Sequence, residues 1–307
     1  MTTSFLRKAA LVFVLLILIG IGVAWISKPR LNESSIASHT IVVTTPVLQL
    51  FASQLVKGVP GVSVQRVFET EGHCLHDHQV SAQEMRVLCS AKLVLANGVG
   101  FEPFLQKAMA QCPRVPVVNV GDGCADFLLK DSIVDPHVWL GRGAVCEVRA
   151  LVRALSSRDQ ANSMQYLQSG KNLGESIDAA WDSASLQGAP LRGSAVVSFH
   201  GAFNYFAREL GLNVVASFGE DAESPNPSAQ QIAGLIQVIR EKKVKALLLG
   251  LDESPALAES VSRETGVKIL RMDNMLGPFA QGDSSAYARV LLQNVKILVD
   301  SLSQVSP

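Results

Sequence analysis

Val62-Ser-Val-Gln-Arg-Val-Phe68, then His73-Cys-Leu-His-Asp-His78, then Ser81-Ala-Gln-Glu84 are the three runs from which the fold is read. The first is apolar and β-branched at alternate positions, the composition of a strand. The last has the Ser-x-x-Glu spacing of a capping box, in which Ser81 and Glu84 satisfy the orphan amides of a helix start. Between them lies a loop that holds three of the six histidines of the chain. The unit is a strand, a loop and a capped helix, and the same alternation extends in both directions.

Upstream, Ile41–Thr45 reads as a strand and Val47–Val56 as a helix. Downstream come a strand at Leu93–Ala96, a helix at Glu102–Ala110 and a strand at Pro116–Val120. A second set of strands follows at Ala195–Phe199, Asn213–Phe218, Val244–Leu249 and Val267–Met272. Helical segments near 202–210, 228–241 and 255–265 separate these strands, and a final helix runs from Ser285 to Leu302. Nearly all-apolar strands alternating with helices predict an α/β protein with parallel sheets covered on both faces, here in two lobes. Residues 143–186 carry no strand pattern. Ala144–Leu155 is one helix, and Arg158–Leu186 a second, with Leu167, Leu173, Ile177 and Trp181 near helical spacing. Gly170 and Gly174 weaken that helix by about 1 kcal/mol each. The segment is either a helical insertion or one helix bridging the lobes.

The 307 residues carry 27 basic and 27 acidic side chains, so the formal charge is zero. No basic block marks a nucleic-acid surface. Arg7 and Lys8 precede an apolar run from Ala9 to Ile26, which Lys28, Pro29 and Arg30 close. This is an export signal, and the run is long enough to serve as an uncleaved membrane anchor. The domain plan is therefore signal or anchor (1–30), polar tether (31–39), N-terminal α/β lobe (40–157), linking helix (158–187) and C-terminal α/β lobe (188–307). Five cysteines, Cys74, Cys89, Cys112, Cys124 and Cys146, leave at least one thiol outside any internal disulfide. Cys112 and Cys124 bracket a short segment and are candidates for a bridge.

Ligands in open α/β sheets bind beyond the carboxyl ends of the strands. His76 follows the second strand, His137 lies in the loop leaving the fourth, and His200 and Asp273 directly follow strands of the second set. Three imidazoles and one carboxylate form an N₃O set that suits tetrahedral Zn²⁺ and does not exclude Mn²⁺ or Fe²⁺. Asp77 and Asp135 stand close enough in sequence to fix the tautomers of the neighbouring histidines. Taken singly, His137 or His200 is more often an ordinary hydrogen-bonded histidine, and Asp273 a turn residue. Asn97-Gly98-Val99-Gly100 fits no phosphate-loop spacing and reads as the turn after the third strand. Asp252-Glu253 beside a strand could be acid–base residues, but the pair reads more readily as solvated residues preceding a helix. Cys74 could join the ligand set, although a thiolate is a liability in an oxidising compartment.

The chain resembles the solute-binding proteins of bacterial zinc and manganese ABC importers, the high-affinity zinc-uptake and TroA-like family. The residues that carry the resemblance begin with His76-Asp-His-Gln-Val-Ser-Ala-Gln-Glu-Met85 and Ala91-Lys-Leu-Val-Leu-Ala-Asn-Gly98. They continue through Asp135-Pro-His-Val-Trp-Leu140, Ser198-Phe-His-Gly-Ala-Phe-Asn-Tyr-Phe-Ala207, Gly211-Leu212 and Pro227-Ser-Ala229. The resemblance implies two lobes joined by a long rigid helix, with the metal in the interlobe cleft on His76, His137, His200 and Asp273. It also implies a non-enzymatic monomer that delivers the ion to a membrane permease driven by an ATPase. Histidine at position 200 resembles the zinc-type members. His78 replaces the tyrosine common in the family, so His73 and His78 offer a looser second capture site or an alternative to His76. Ala82 replaces a proline, Gly250 a glutamate found in several relatives, and the long histidine-rich loop is absent. The rival readings are an exported zinc hydrolase and a surface adhesin or metal chaperone. The hydrolase is opposed by the lack of an HExxH helix and by Asp273 at the position a catalytic water would need.

Overall fold

The computed structural model describes residues 39–68, 75, 78–124, 127–130, 133–199, 201–218, 227–280 and 282–302. The apolar run 9–26 and residues 31–38 of the tether lie outside them. From His39 onward the chain is one compact unit.

The chain opens with β1 (His39–Val43), whose carboxyl end leads into α1 (Pro46–Leu55). Thr45 caps that helix, accepting from the Leu48 amide at 3.3 Å, and Pro46 takes a first-turn position where a missing N–H costs nothing. β2 (Val62–Arg66) precedes the histidine loop, and α2 (Ala82–Ser90) follows it. The capping box is formed as expected: the Glu84 amide donates to Ser81 Oγ at 3.2 Å, and the Ser81 amide donates to Glu84 Oε2 at 2.7 Å. β3 (Leu93–Ala96), α3 (Leu105–Met109) and β4 (Val117–Asn119) complete a parallel sheet of order β2-β1-β3-β4. A short antiparallel hairpin not foreseen from the sequence, β5 (Leu129–Lys130) with β6 (Ile133–Val134), then delivers the Asp135-Pro136-His137 segment.

α4 (Gly143–Ser156) packs against α5 (Ser163–Gly188), a helix of 26 residues and so roughly 39 Å long. β7 (Ala195–Phe199), α6 (Asn204–Glu209), β8 (Asn213–Phe218), α7 (Ala229–Glu241), β9 (Ala246–Gly250), α8 (Ala256–Thr265) and β10 (Lys268–Met272) build the second parallel sheet, of order β10-β9-β7-β8. α9 (Ala286–Leu302) returns to pack along α5. The fold is thus two parallel-sheet α/β lobes joined by a long helix.

Side chains alternate between the faces of the second sheet with the strand period of two. Val196, Ala246 and Leu248 face a core shared with the first sheet, α5 and α9. Val197, Leu247 and Leu249 face a separate core beneath α7 and α8. Because the shared core runs through both lobes, the long helix is a buried spine. Its buried stripe includes Tyr166, Leu173, Ile177, Trp181 and Ala184. Gly170 belongs to this stripe, since a Cβ there would stand 2.3 Å from a methyl of Val152. The glycine that weakens the helix intrinsically is what lets α4 and α5 approach.

Disulfides join Cys89 to Cys112 and Cys124 to Cys146. The candidate Cys112–Cys124 bridge is not formed, since each of these cysteines pairs with another. The first bridge ties α2 to the end of α3, and the second ties the segment before the hairpin to α4. Closing loops of this length typically stabilises by about 2–4 kcal/mol each. Cys74 lies outside the described residues.

Candidate metal centre

His137 is buried, with 2% of its surface exposed. Its Nδ1 lies 2.8 Å from Asp135 Oδ1, and its backbone N–H donates to the same oxygen at 3.0 Å. With Asp135 on Nδ1, Nε2 is the nitrogen through which the ring would ligate an ion. Burial pushes the Asp135 carboxyl up. Hydrogen bonds and charge from His137, with a further bond from Asn204, more than offset this and hold it below the usual carboxylate range.

The segment is fixed from several sides. The second Asp135 oxygen accepts from Asn204 Nδ2 at 3.0 Å, and Tyr205 Oη donates to the Asp135 carbonyl at 2.8 Å. Both partners lie on α6, in the second lobe. From the first lobe, Asn97 Nδ2 donates to the Pro136 carbonyl at 3.0 Å. The Asn97–Gly98 turn is itself held by the Glu102 carboxylate, which accepts from both backbone amides at 2.9 and 3.1 Å and from the Thr44 hydroxyl. The glycine turn after β3 therefore serves as a buttress for the histidine segment. Phe101 and Trp139 pack edge-on around the imidazole, with ring centroids 5.8 and 5.3 Å away.

Asp273 is half-buried in the loop after β10. The buried side chain of Asn294, on α9, clamps its backbone: Asp273 N–H donates to Asn294 Oδ1 at 3.0 Å, and Asn294 Nδ2 donates to the Asp273 carbonyl at 2.8 Å. Asp273 Oδ1 accepts from the Met275 amide at 2.7 Å, around a turn in which Met275 adopts φ = 64°. A left-handed conformation at a non-glycine residue is uncommon and strained. The surrounding bonds hold it. Trp139 Nε1 donates to the Asn274 carbonyl at 2.9 Å, so one hydrogen bond ties the segment of His137 to that of Asp273. Tyr287 bonds the Trp139 carbonyl at 2.8 Å and accepts from Trp181 of the long helix at 3.1 Å.

Replacing Asn294 by leucine leaves a buried backbone N–H and C=O unpaired, at about 1–3 kcal/mol for each orphaned group. We expect a lower denaturation midpoint together with weaker metal binding. Unchanged binding would separate Asp273 from the ion.

Asp252-Glu253 departs from the expected solvated pair. Asp252 Oδ1 accepts from Asn274 Nδ2 at 3.0 Å. Glu253 Oε1 is buried and has no hydrogen-bond partner among the described residues. Burial pushes the Glu253 carboxyl up to about 7; the Gly250 hydrogen bond opposes the rise, Asp252 adds to it, and His137 is among the charges that act on it.

His76 and His200 lie outside the described residues, as do His73, Cys74 and Asp77. Among the described residues no three His, Cys, Asp or Glu side chains are gathered closely enough to hold a metal. His78 is described: its Nε2 lies 3.1 Å from Glu84 Oε1, and its ring packs against Phe68 and Phe104. Sequence reasoning gave no site role to Asn97, Tyr205 or Asn294 and set Glu253 aside as solvated. Trp139 was visible only as part of the Asp135–Leu140 signature.

The family described as the periplasmic component A of the zinc-uptake complex matches residues 41–301. The chain belongs to this family. It is thus an exported, metal-binding solute-binding component of an ABC importer. Among its relatives, the iron-binding protein YfeA of Yersinia pestis is 26% identical over 99% of either chain. The high-affinity zinc uptake protein ZnuA of Bacillus subtilis is 26% identical over 86% of this chain and 87% of that one. The solute-binding protein FpvC of Pseudomonas aeruginosa, solved with Mn²⁺, shares the fold with a TM-score of 0.77 at 23% identity, covering 87% of this chain and 99% of its own.

Proposed function

We propose that the chain captures Zn²⁺ outside the cytoplasm on His76, His137, His200 and Asp273 and hands it to a permease driven by an ATPase. The observation that carries this reading is the buried His137 with Asp135 on its Nδ1, the arrangement by which a carboxylate fixes the tautomer and raises the basicity of a metal-bound imidazole. The Trp139–Asn274 bond supports it by holding the segments of His137 and Asp273 together. Three imidazoles favour zinc over harder ions, while Mn²⁺ and Fe²⁺ remain the alternative cargoes, in line with the names of the relatives. In this reading the protein acts as a monomer, and no catalysis is expected because Asp273 completes a closed four-ligand shell and leaves no position for a reactive water. Residues 9–26 anchor it to the outer face of the membrane.

Separate His76→Ala and His200→Ala variants test the ligand set. Each is expected to lose the tight zinc equivalent in a chelator-competition titration. A variant that binds as tightly as the parent would remove that histidine from the site.

A further inference from the structure

We propose that the amino-end pole of the first sheet docks on an anionic phospholipid surface and leaves the opposite end of the lobe open to solvent for metal capture. The inference rests on the anchoring by residues 9–26 proposed above and not on the ligand set.

Register builds the pole. β1, β2, β3 and β4 run parallel, with His39 paired to Val62, Ile41 to Leu93 and Val94 to Val117, so all of them begin at one end of the sheet. The connections at this end, residues 56–61, 91–92, 110–116 and 157–162, hold Lys57, Lys92, Arg114 and Arg158 and a single acid, Asp159. The cations are exposed, and none is ion-paired among the described residues. Asp159 is half-buried and committed, accepting from Asn162 Nδ2 at 2.8 Å and from Tyr166 Oη at 2.7 Å. The chain as a whole carries no net charge, so this pole is a local positive excess.

Apolar side chains accompany the charge. Met164 and Leu167, neighbours on one face at the start of α5, are 75% and 51% exposed. Gln165 between them donates to the Lys57 carbonyl at 2.8 Å, which ties them to this end. Val117, the first residue of β4, is exposed as well. Beside them Ile41, Val62, Leu93 and Leu155 line a cavity of about 500 Å³ together with Lys92 and Arg158. An acidic protein would engage the cations alone. A basic, acid-poor surface interspersed with exposed apolar side chains matches the boundary between lipid headgroups and acyl chains. Chain length supports the same partner: β1 begins at His39, and residues 27–38 span at most about 40 Å, so the anchor keeps this pole within that distance of the bilayer. The carboxyl ends of the same strands lead to Thr44 and Asn97, the side from which the His137 segment is held. Docking by the amino ends leaves that side facing solvent.

The test uses the full chain, reconstituted with its body outside on vesicles of phosphatidylcholine alone or of phosphatidylcholine mixed with phosphatidylglycerol. Amine acylation is followed at Lys57 and Lys92, with the exposed Lys243 and Lys245 of the second lobe as internal controls. One cation held at an anionic surface strengthens association by about fivefold. Lys57 and Lys92 are therefore expected to react at least about fivefold more slowly on the anionic vesicles, with the controls unchanged. Salt at about 0.5 M, or the variant Arg114→Glu/Met164→Glu at two exposed positions, is expected to remove the protection. Equal reactivity on the two compositions would overturn the inference and leave the face to a partner other than lipid. Protection shared equally by the controls would overturn it as general adsorption. Flotation with the vesicles tests the anchor separately. A chain that floats with both compositions but shows no protection keeps the anchor and loses the docking face. One that floats with the anionic vesicles alone loses the anchor and keeps the face, and one that floats with neither loses both.

Discussion

His137→Ala is expected to weaken Zn²⁺ binding by at least about 100-fold, or roughly 2.7 kcal/mol. The loss exceeds that of one ligand among four equals because His137 is the most constrained of the described candidates. Its ring is buried, its Nδ1 is engaged by Asp135, and its segment is held by Asn97, Asn204 and Tyr205. A ligand pre-set in this way contributes without a cost in ordering. Asp135→Asn keeps the shape but weakens the acceptor and permits the wrong tautomer, so a smaller loss of about 10- to 100-fold is expected. Thermal denaturation of the same variants separates lost ligation from lost folding. His137→Ala with full affinity and an unaltered midpoint would place the ion elsewhere.

A second large effect is expected away from the candidate ligands. Glu147, on α4, is fully buried, and neither carboxyl oxygen has a partner among the described residues. Burial first, and then the charge of Glu102, pushes its carboxyl up to about 8 from an ordinary value near 4.5. Glu102 is raised to about 7 by burial, but the Thr44 hydroxyl and the Asn97 and Gly98 amides favour its ionised form. Glu147 has no such donors, so it carries the proton of the pair. The folded-state value lies above the unfolded one. The folded protein therefore holds the extra proton, and stability is greatest below about pH 4.5 and is lost as pH rises towards 8. Glu147→Gln mimics the protonated form and removes this slope. Relative to the parent it should gain on the order of 3 kcal/mol at pH 8.5 and almost nothing at pH 4.5. Urea denaturation at the two pH values checks this, and parallel pH profiles would contradict it.

The fold was legible because its signals are local. Apolar β-branched runs marked the strands, and Ser81 with Glu84 marked a helix start that forms the expected reciprocal bonds. Thr45 illustrates the limit of such reading: its β-branched side chain suggested the end of a strand, but it leaves β1 to cap α1. The disulfides were not legible, because nearness along the chain made Cys112 and Cys124 look like partners while tertiary packing joined each to another cysteine.

The candidate site divides along the same line. His137 stood out through the neighbouring Asp135, a local pattern. Asn294 carries no such signal; it reaches Asp273 across 21 residues from the middle of a helix. Asp252-Glu253 looked like a solvated pair because charge beside a helix start normally is solvated. The glycine at the end of β9 makes room for these carboxyls, a relation that exists only once the strand ends are assembled.

The measurement that bears most directly on the central claim is a competitive titration of the purified, metal-stripped protein against Zn²⁺, Mn²⁺ and Fe²⁺, with metal content determined alongside. The account predicts one tight equivalent per chain, bound most strongly as Zn²⁺ and weakening as pH falls through the histidine range near 6.5. Absence of tight binding for all three ions would contradict it.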